Sequence, residues 1–238
     1  MRWFRRRPPT LPEEQRALLE QRLPQYRLLT EELRARFHPR VAEFLRTKRF
    51  YGCNDLEVTD EMRVLVAGMA CLLILRPEAR VYPSLRSVLL YPTAFWVRHE
   101  EPDDVGVVYE GETLQIGESQ HWGRVILSWE DAEAALHGDP VNVPVHEFAH
   151  QLDDENPGSA GAPRLADYSR WSQVMTSAYD ALCRKGSPVL DDYGTEGPAE
   201  FFAVASEAYF QSGRALRRHH RDLYELLREY YLVETAKA

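Results

Sequence analysis

The sequence predicts an α+β fold, mostly helical with a small mixed β-sheet. Three observations carry this prediction. The N-terminal and C-terminal parts place apolar residues at helical spacing behind recognisable caps. The stretch between them breaks into short β-rich runs separated by Pro and Gly. The order is helices, then strands, then helices, with no βαβ alternation, so helices and strands are expected to segregate.

Leu18, Leu19 and Leu23 form a first apolar stripe, which Pro24 interrupts. Thr30 is an N-cap for a helix carrying Leu33, Phe37, Val41, Phe44 and Leu45, with Pro39 as a possible kink. Thr59 caps the next helix, with Asp60 and Glu61 in the first turn, where the dipole favours acids. That helix is expected to end at Pro77. From 81 onward the pattern changes. Runs 87–91 and 94–97 read as strands, 106–109 and 113–116 as a hairpin around Glu110-Gly111, and 124–129 as a further strand. Ser128 caps a short helix through Leu136, and after Pro140 the pattern is helical again, broken by loops at 156–163 and 186–198. With no internal repeat and no long linker, 1–238 reads as a single domain. Within it, 1–10 is a flexible basic tail, 11–77 a helical N-terminal part, and 81–238 the sheet with the helices that carry the chemistry.

The 238 residues carry 29 Lys+Arg against 37 Asp+Glu, a net charge of −8. That balance argues against direct nucleic-acid binding, which needs a basic surface, although it leaves room for a local basic patch. The apolar run 64–75 is too short to cross a bilayer, so no membrane span is expected. The arginine-rich start lacks the apolar core of a secretory signal. Cys53, Cys71 and Cys183 are odd in number and far apart, which suits a reducing compartment. A cytoplasmic location follows as the expectation.

The chemistry concentrates in His146-Glu147-Phe148-Ala149-His150, an H-E-x-x-H motif. On a helix the two histidines lie one turn apart on one face, where both imidazoles can reach one ion at about 2.0–2.1 Å. Glu147 lies beside that face and can hold a water as a base without ligating the metal. With eight histidines, such a motif arises by chance in roughly one chain in fifty of this size, so its context decides. Asn142 caps the segment, Pro144 suits a first turn, and Val145, Phe148, Ala149 and Leu152 bury it. A buried helix carrying two histidines and a glutamate needs something to offset their desolvation, and a divalent cation does so.

Catalytic sites of this kind take a third protein ligand. The extended H-E-x-x-H-x-x-G-x-x-H form is excluded, because Asp153 and Asn156 stand at its last two positions. The third ligand should then be an acid on a later helix. In the stretch 193–207, Pro198 opens a nearly all-apolar helix that contains Glu200 and Glu207 on one face, two turns apart. Glu200, nearer the loop end, is the assigned ligand. Glu207 either supports a ligand from behind or points at a surface arginine.

HEFAHQLD followed by DYGTEGPAEFFAVASEAYF resembles the zinc peptidase family of Mlc titration factor A, and is more distantly similar to the catalytic domain of anthrax lethal factor. The resemblance covers most of the chain, including LLYPTAFWV and RVILSW. It implies a zincin-like metallopeptidase domain that binds Zn2+ through His146, His150 and Glu200. It further implies Glu147 as general base and Tyr193 as the residue that stabilises the oxyanion. A peptide or protein substrate follows, cut at chain ends as by an aminopeptidase or internally. So does a transcriptional repressor as partner, which opens the alternative of a regulatory binding protein whose zinc is mainly structural. Two His and one carboxylate also suit Fe(II), although H-E-x-x-H on one helix favours zinc.

Lesser features complete the reading. Asp153 either accepts the second ring N–H of His150 or is a plain helix-end acid. The strand at 124–128 is either an edge that pairs with extended peptide or an interior strand. His219 and His220, beside Arg217, Arg218 and Arg221, read as a solvated basic turn.

Overall fold

Helix α1 (Glu13–Arg22) carries Glu13 and Glu14 in its first turn, buries Leu19, and gives way to a 3₁₀ turn at Pro24–Leu28. The computed structural model describes residues 9–102, 108–115, 117–120, 123–156, 158 and 160–237; the expected basic tail at 1–10 falls almost wholly outside them. The Thr30 hydroxyl accepts the Leu33 N–H at 3.3 Å and starts α2 (Glu31–Thr47). This helix buries Leu33, Phe37, Val41 and Phe44 and runs through Pro39. Thr59 likewise accepts the Met62 N–H at 3.2 Å at the head of α3 (Asp60–Leu72), which is buried from Val64 onward.

Two expectations are corrected in this first part. α3 stops at Leu72, short of Pro77. Its last turn tightens, with Leu73 N–H donating to the Ala70 carbonyl and Ile74 N–H to the Cys71 carbonyl. The clash of Pro77 with the residue before it then disfavours resumption of the helix. Secondly, 11–77 is not wholly helical: β1 (Arg49–Gly52) lies within it, mostly exposed and too short to show an alternating pattern.

β1 pairs in parallel with β2 (Ser87–Tyr91), in register Arg49↔Ser87. A second pair of strands, β3 (Phe95–Pro102) and β4 (Val108–Gln115), forms a separate antiparallel ribbon. Here the hairpin expectation is wrong: Glu110 and Gly111 sit inside β4, paired with Glu100 and His99, so they are not the turn. Gly106, Val107 and Ile116 lie outside the described residues. β5 (Gly117–Gln120) runs antiparallel to β6 (Arg124–Ser128), and β6 runs parallel to β2. The larger sheet is therefore mixed, in the order β1-β2-β6-β5. β6 is interior and β5 forms the edge, which closes the alternative of an exposed strand at 124–128.

The remaining helices follow the capping logic. Ser128 accepts the Asp131 N–H at 3.3 Å at the head of α4 (Trp129–Leu136). Asn142 Oδ1 accepts the Val145 N–H at 3.0 Å and opens α5 (Val143–Asp154). Then come α6 (Ser169–Lys185), α7 (Pro198–Gln211), α8 (Gly213–His219) and α9 (Arg221–Tyr231). α7 is buried from Phe201 to Phe210, as its nearly uninterrupted apolar sequence requires. Phe148 of α5 packs between Phe44 and Tyr82, with ring centroids 5.7 and 5.2 Å away, which seats the histidine helix on the N-terminal helices. Trp171 meets Phe202 at 5.6 Å on the far side. The fold is mostly helical α+β, as predicted. At the basic turn, His220 is tied to Ser187 by a 2.7 Å bond between Nε2 and Oγ. Cys53, Cys71 and Cys183 are free thiols.

Candidate metal centre

α5 and α7 pack side by side, and their facing sides carry the polar groups. His146 and His150 project from successive turns of α5, with ring centroids 4.8 Å apart. Glu200 projects from the first turn of α7, just after Gly197 and Pro198 have set its entry. His146 Nε2 lies 3.1 Å from His150 Nε2, and Glu200 Oε2 lies 3.1 and 3.2 Å from the two nitrogens. The three residues are close enough to hold one metal ion.

Glu207, two turns further along α7, reaches back to α5. Its Oε1 accepts the Nδ1–H of His146 at 2.6 Å, and its Oε2 accepts the backbone N–H of Asn142 at 2.7 Å. The surface-arginine alternative for Glu207 is thereby closed. Because the carboxylate accepts at Nδ1, a proton sits there, and Nε2 is the ring nitrogen that faces His150 and Glu200. Asp153 does something else than expected. Its Oδ1 accepts the Ala162 N–H at 2.9 Å, tying Ala162 to the end of α5.

Glu147 is 5% exposed on α5, and its charge acts on both His146 and Tyr193. Tyr193 stands in the 3₁₀ turn Asp192–Thr195, where Asp191 Oδ1 accepts its backbone N–H at 2.8 Å. Its ring centroid is 5.9 Å from that of His146, and the residue is 48% exposed. Burial, joined by the charges of Glu200, Glu196 and Glu147, pushes its phenol up to about 12, so it keeps its proton at neutral pH. Burial favours neutral His146, but hydrogen bonds to Glu200 and Glu207 outweigh this and raise it to about 10. Burial alone would raise Glu200, but the two histidines hold it down at about 2. The site is built to accept positive charge.

The glucose-regulated metallo-peptidase M90 family matches residues 1–232. The chain belongs to that family. Mlc titration factor A of Pectobacterium atrosepticum is 32% identical over 212 residues, covering 85% of this chain and 80% of its own. Mlc titration factor A of Yersinia pestis is 30% identical over 200 residues, covering 80% and 74%. An uncharacterized protein of Synechocystis sp. is 40% identical over 234 residues, covering 94% and 85%. The resemblance read from the two motifs therefore holds across the chain.

An M90 metallopeptidase needs donors that suit a metal, and these do. Around an ion with bonds of about 2.0–2.1 Å, tetrahedral ligand atoms stand about 3.3–3.4 Å apart. The observed edges of 3.1 to 3.2 Å approach that spacing. Two lone pairs and a carboxylate oxygen at such separations repel one another unless a cation or proton lies between them. Nitrogen and carboxylate donors of this kind suit zinc.

Two features of this M90 site escaped the sequence reading. The support of His146 by Glu207 is one of the two readings the sequence left open, but its second bond, to the Asn142 N–H, needs two helices side by side, and no local pattern signals it. Gly161, at φ +78, lies so close to α7 that a Cβ there would stand 2.4 Å from the Pro198 carbonyl oxygen. Trp171 Nε1 donates to the Gly161 carbonyl at 3.1 Å and fixes the loop from the other side. The Pro and Gly content of 156–163 signals a loop but not its destination.

Proposed function

We propose that this M90 chain is a zinc-dependent peptidase, with His146, His150 and Glu200 as metal ligands, Glu147 as general base and Tyr193 as oxyanion donor. The observation that carries the reading is the convergence of three donors from two helices at 3.1 to 3.2 Å, beside a buried glutamate. When bound, the metal supplies Lewis-acid polarisation of the scissile carbonyl and acidifies the attacking water. Glu147 takes a proton from that water and passes it to the departing amine. Tyr193, protonated at neutral pH, donates a hydrogen bond to the developing oxyanion. Glu207 holds His146 in the tautomer whose Nε2 faces the site.

The test is Glu147→Gln. The variant keeps stoichiometric zinc by metal analysis, while chelator-sensitive cleavage of a peptide mixture falls about 10²–10⁴-fold. Cleavage at the parental rate would remove the general-base assignment.

A second reading is favoured by the relatives, whose name describes titration of Mlc. This chain would then engage a repressor-like protein, with its zinc mainly structural. Partner binding that survives chelation in a protein without hydrolysis favours this second role. Binding abolished together with hydrolysis ties both to the metal centre.

A further inference from the structure

α2 and the segment 77–86 line an open cleft of about 1350 Å³ that includes none of the metal-centre residues. Its walls carry six cationic side chains, Arg36, Arg40, Arg46, Lys48, Arg80 and Arg86, against one acid, Glu43. In a chain of net charge −8 this is a local reversal of sign. Arg36 is ion-paired with Glu32. Among the described residues the other five have no carboxylate at ion-pair distance.

Two of the five are held in place by neutral acceptors. Lys48 is 7% exposed, and its Nζ donates to the Tyr82 and Leu85 carbonyls at 2.5 and 2.9 Å. Arg40 donates to the Arg36 and Arg76 carbonyls at 3.0 and 2.6 Å, and its buried Nε–H has no acceptor among the described residues. Carbonyls satisfy hydrogen bonds but bring no net charge. The acids whose charge reaches Arg40 and Lys48 are three, Glu43, Glu78 and Glu155, against six cations in the walls, so an excess of positive charge remains. Burial accordingly lowers both groups from their ordinary values. Arg46, Arg80 and Arg86 are exposed and add their charge at the mouth. Low-dielectric walls focus such a field and concentrate counter-ions.

We propose that this cleft binds a small polyanion carrying clustered phosphate groups. Guanidinium forks match phosphate oxygens bidentately. A phosphate group brings about −1.5 to −2 charge on a compact centre, so clustered phosphates neutralise the excess that the walls impose. The volume exceeds the about 300–1,000 Å³ of typical ligand sites, so a ligand of small-molecule size fits with room for water. The site stands on charge and shape alone and does not depend on the peptidase reading.

The experiment is calorimetric titration of the full metal-loaded chain with inorganic pyrophosphate. It is repeated with citrate, an anion of similar charge, and with the variant Arg46→Ala/Arg80→Ala/Arg86→Ala. All three substitutions are at exposed positions, and an unchanged melting temperature verifies the fold. The expected result is saturable binding of pyrophosphate that weakens as salt rises and falls at least about tenfold in the variant. Citrate binds more weakly to the parent. The proposal is overturned by an absence of saturable binding, or by citrate binding as tightly as pyrophosphate. Affinity unchanged in the triple variant also overturns it, because the anion then sits elsewhere, the metal centre included.

Discussion

Glu207 Oε1 accepts the Nδ1–H of His146 at 2.6 Å, while its other oxygen accepts the Asn142 N–H at 2.7 Å. One carboxylate from α7 therefore orients the imidazole whose Nε2 faces His150 and Glu200, and secures the head of the helix that carries it. Replacing Glu207 with Ala is expected to weaken zinc about 10–100-fold, read by competition with a chromophoric chelator. It also leaves a buried backbone N–H unsatisfied, which costs about 1–3 kcal/mol in denaturant unfolding. Glu207→Gln retains an acceptor for Asn142 and recovers part of the stability. If Glu207→Ala holds zinc as tightly as the parent, the orienting role is lost.

Gly161 separates backbone strain from collision. Gly161→Ala puts a left-handed residue at φ +78 and a Cβ 2.4 Å from the Pro198 oxygen, two residues before Glu200. Gly138 is also left-handed, at φ +96, but a methyl group added there would meet nothing within 4 Å. Gly138→Ala is expected to carry only the strain, about 1 kcal/mol, and Gly161→Ala about 1–3 kcal/mol. Thermal melts compare the two directly. Only the Gly161 variant should also weaken zinc, since it shifts the start of α7.

Glu155 sets a pH dependence. It follows the last turn of α5, its Oε1 is buried with no hydrogen-bond partner among the described residues, and burial lifts it from 4.5 to about 7 against Arg80, Lys48 and Arg164. The folded state thus holds a proton that the unfolded chain releases. Stability from this group is present in full below the unfolded value of 4.5 and is lost as pH rises to about 7. Glu155→Gln should flatten melting temperature against pH over that window. A parental slope in the variant assigns the dependence to other groups.

Removing the metal should destabilise the fold as well as stop catalysis. A ligand that binds only the native state adds about 2.7 kcal/mol when present at 100 times its Kd. Chelation is expected to lower the melting temperature, and added zinc to restore it. In Glu200→Ala both effects should shrink together. A chelator-insensitive melt in a zinc-loaded sample speaks against binding at this centre.

The histidine helix was legible in the sequence because each of its determinants is local. Asn142 caps it, Pro144 opens it, and His146 and His150 share a face by helical period alone. Caps at Thr30, Thr59 and Ser128 were readable for the same reason, as were the strands at 87–91 and 124–128. Tertiary structure decided which acid meets the histidines, and how Glu200 and Glu207 divide the work, because that depends on how α7 lies along α5. It also decided that Asp153 serves the Ala162 loop, that β6 is interior, and that β1 joins the sheet. A cap or a period acts over a few residues and is written in their order. A pairing between distant segments is chosen by packing the whole core, and no single stretch of the chain contains it.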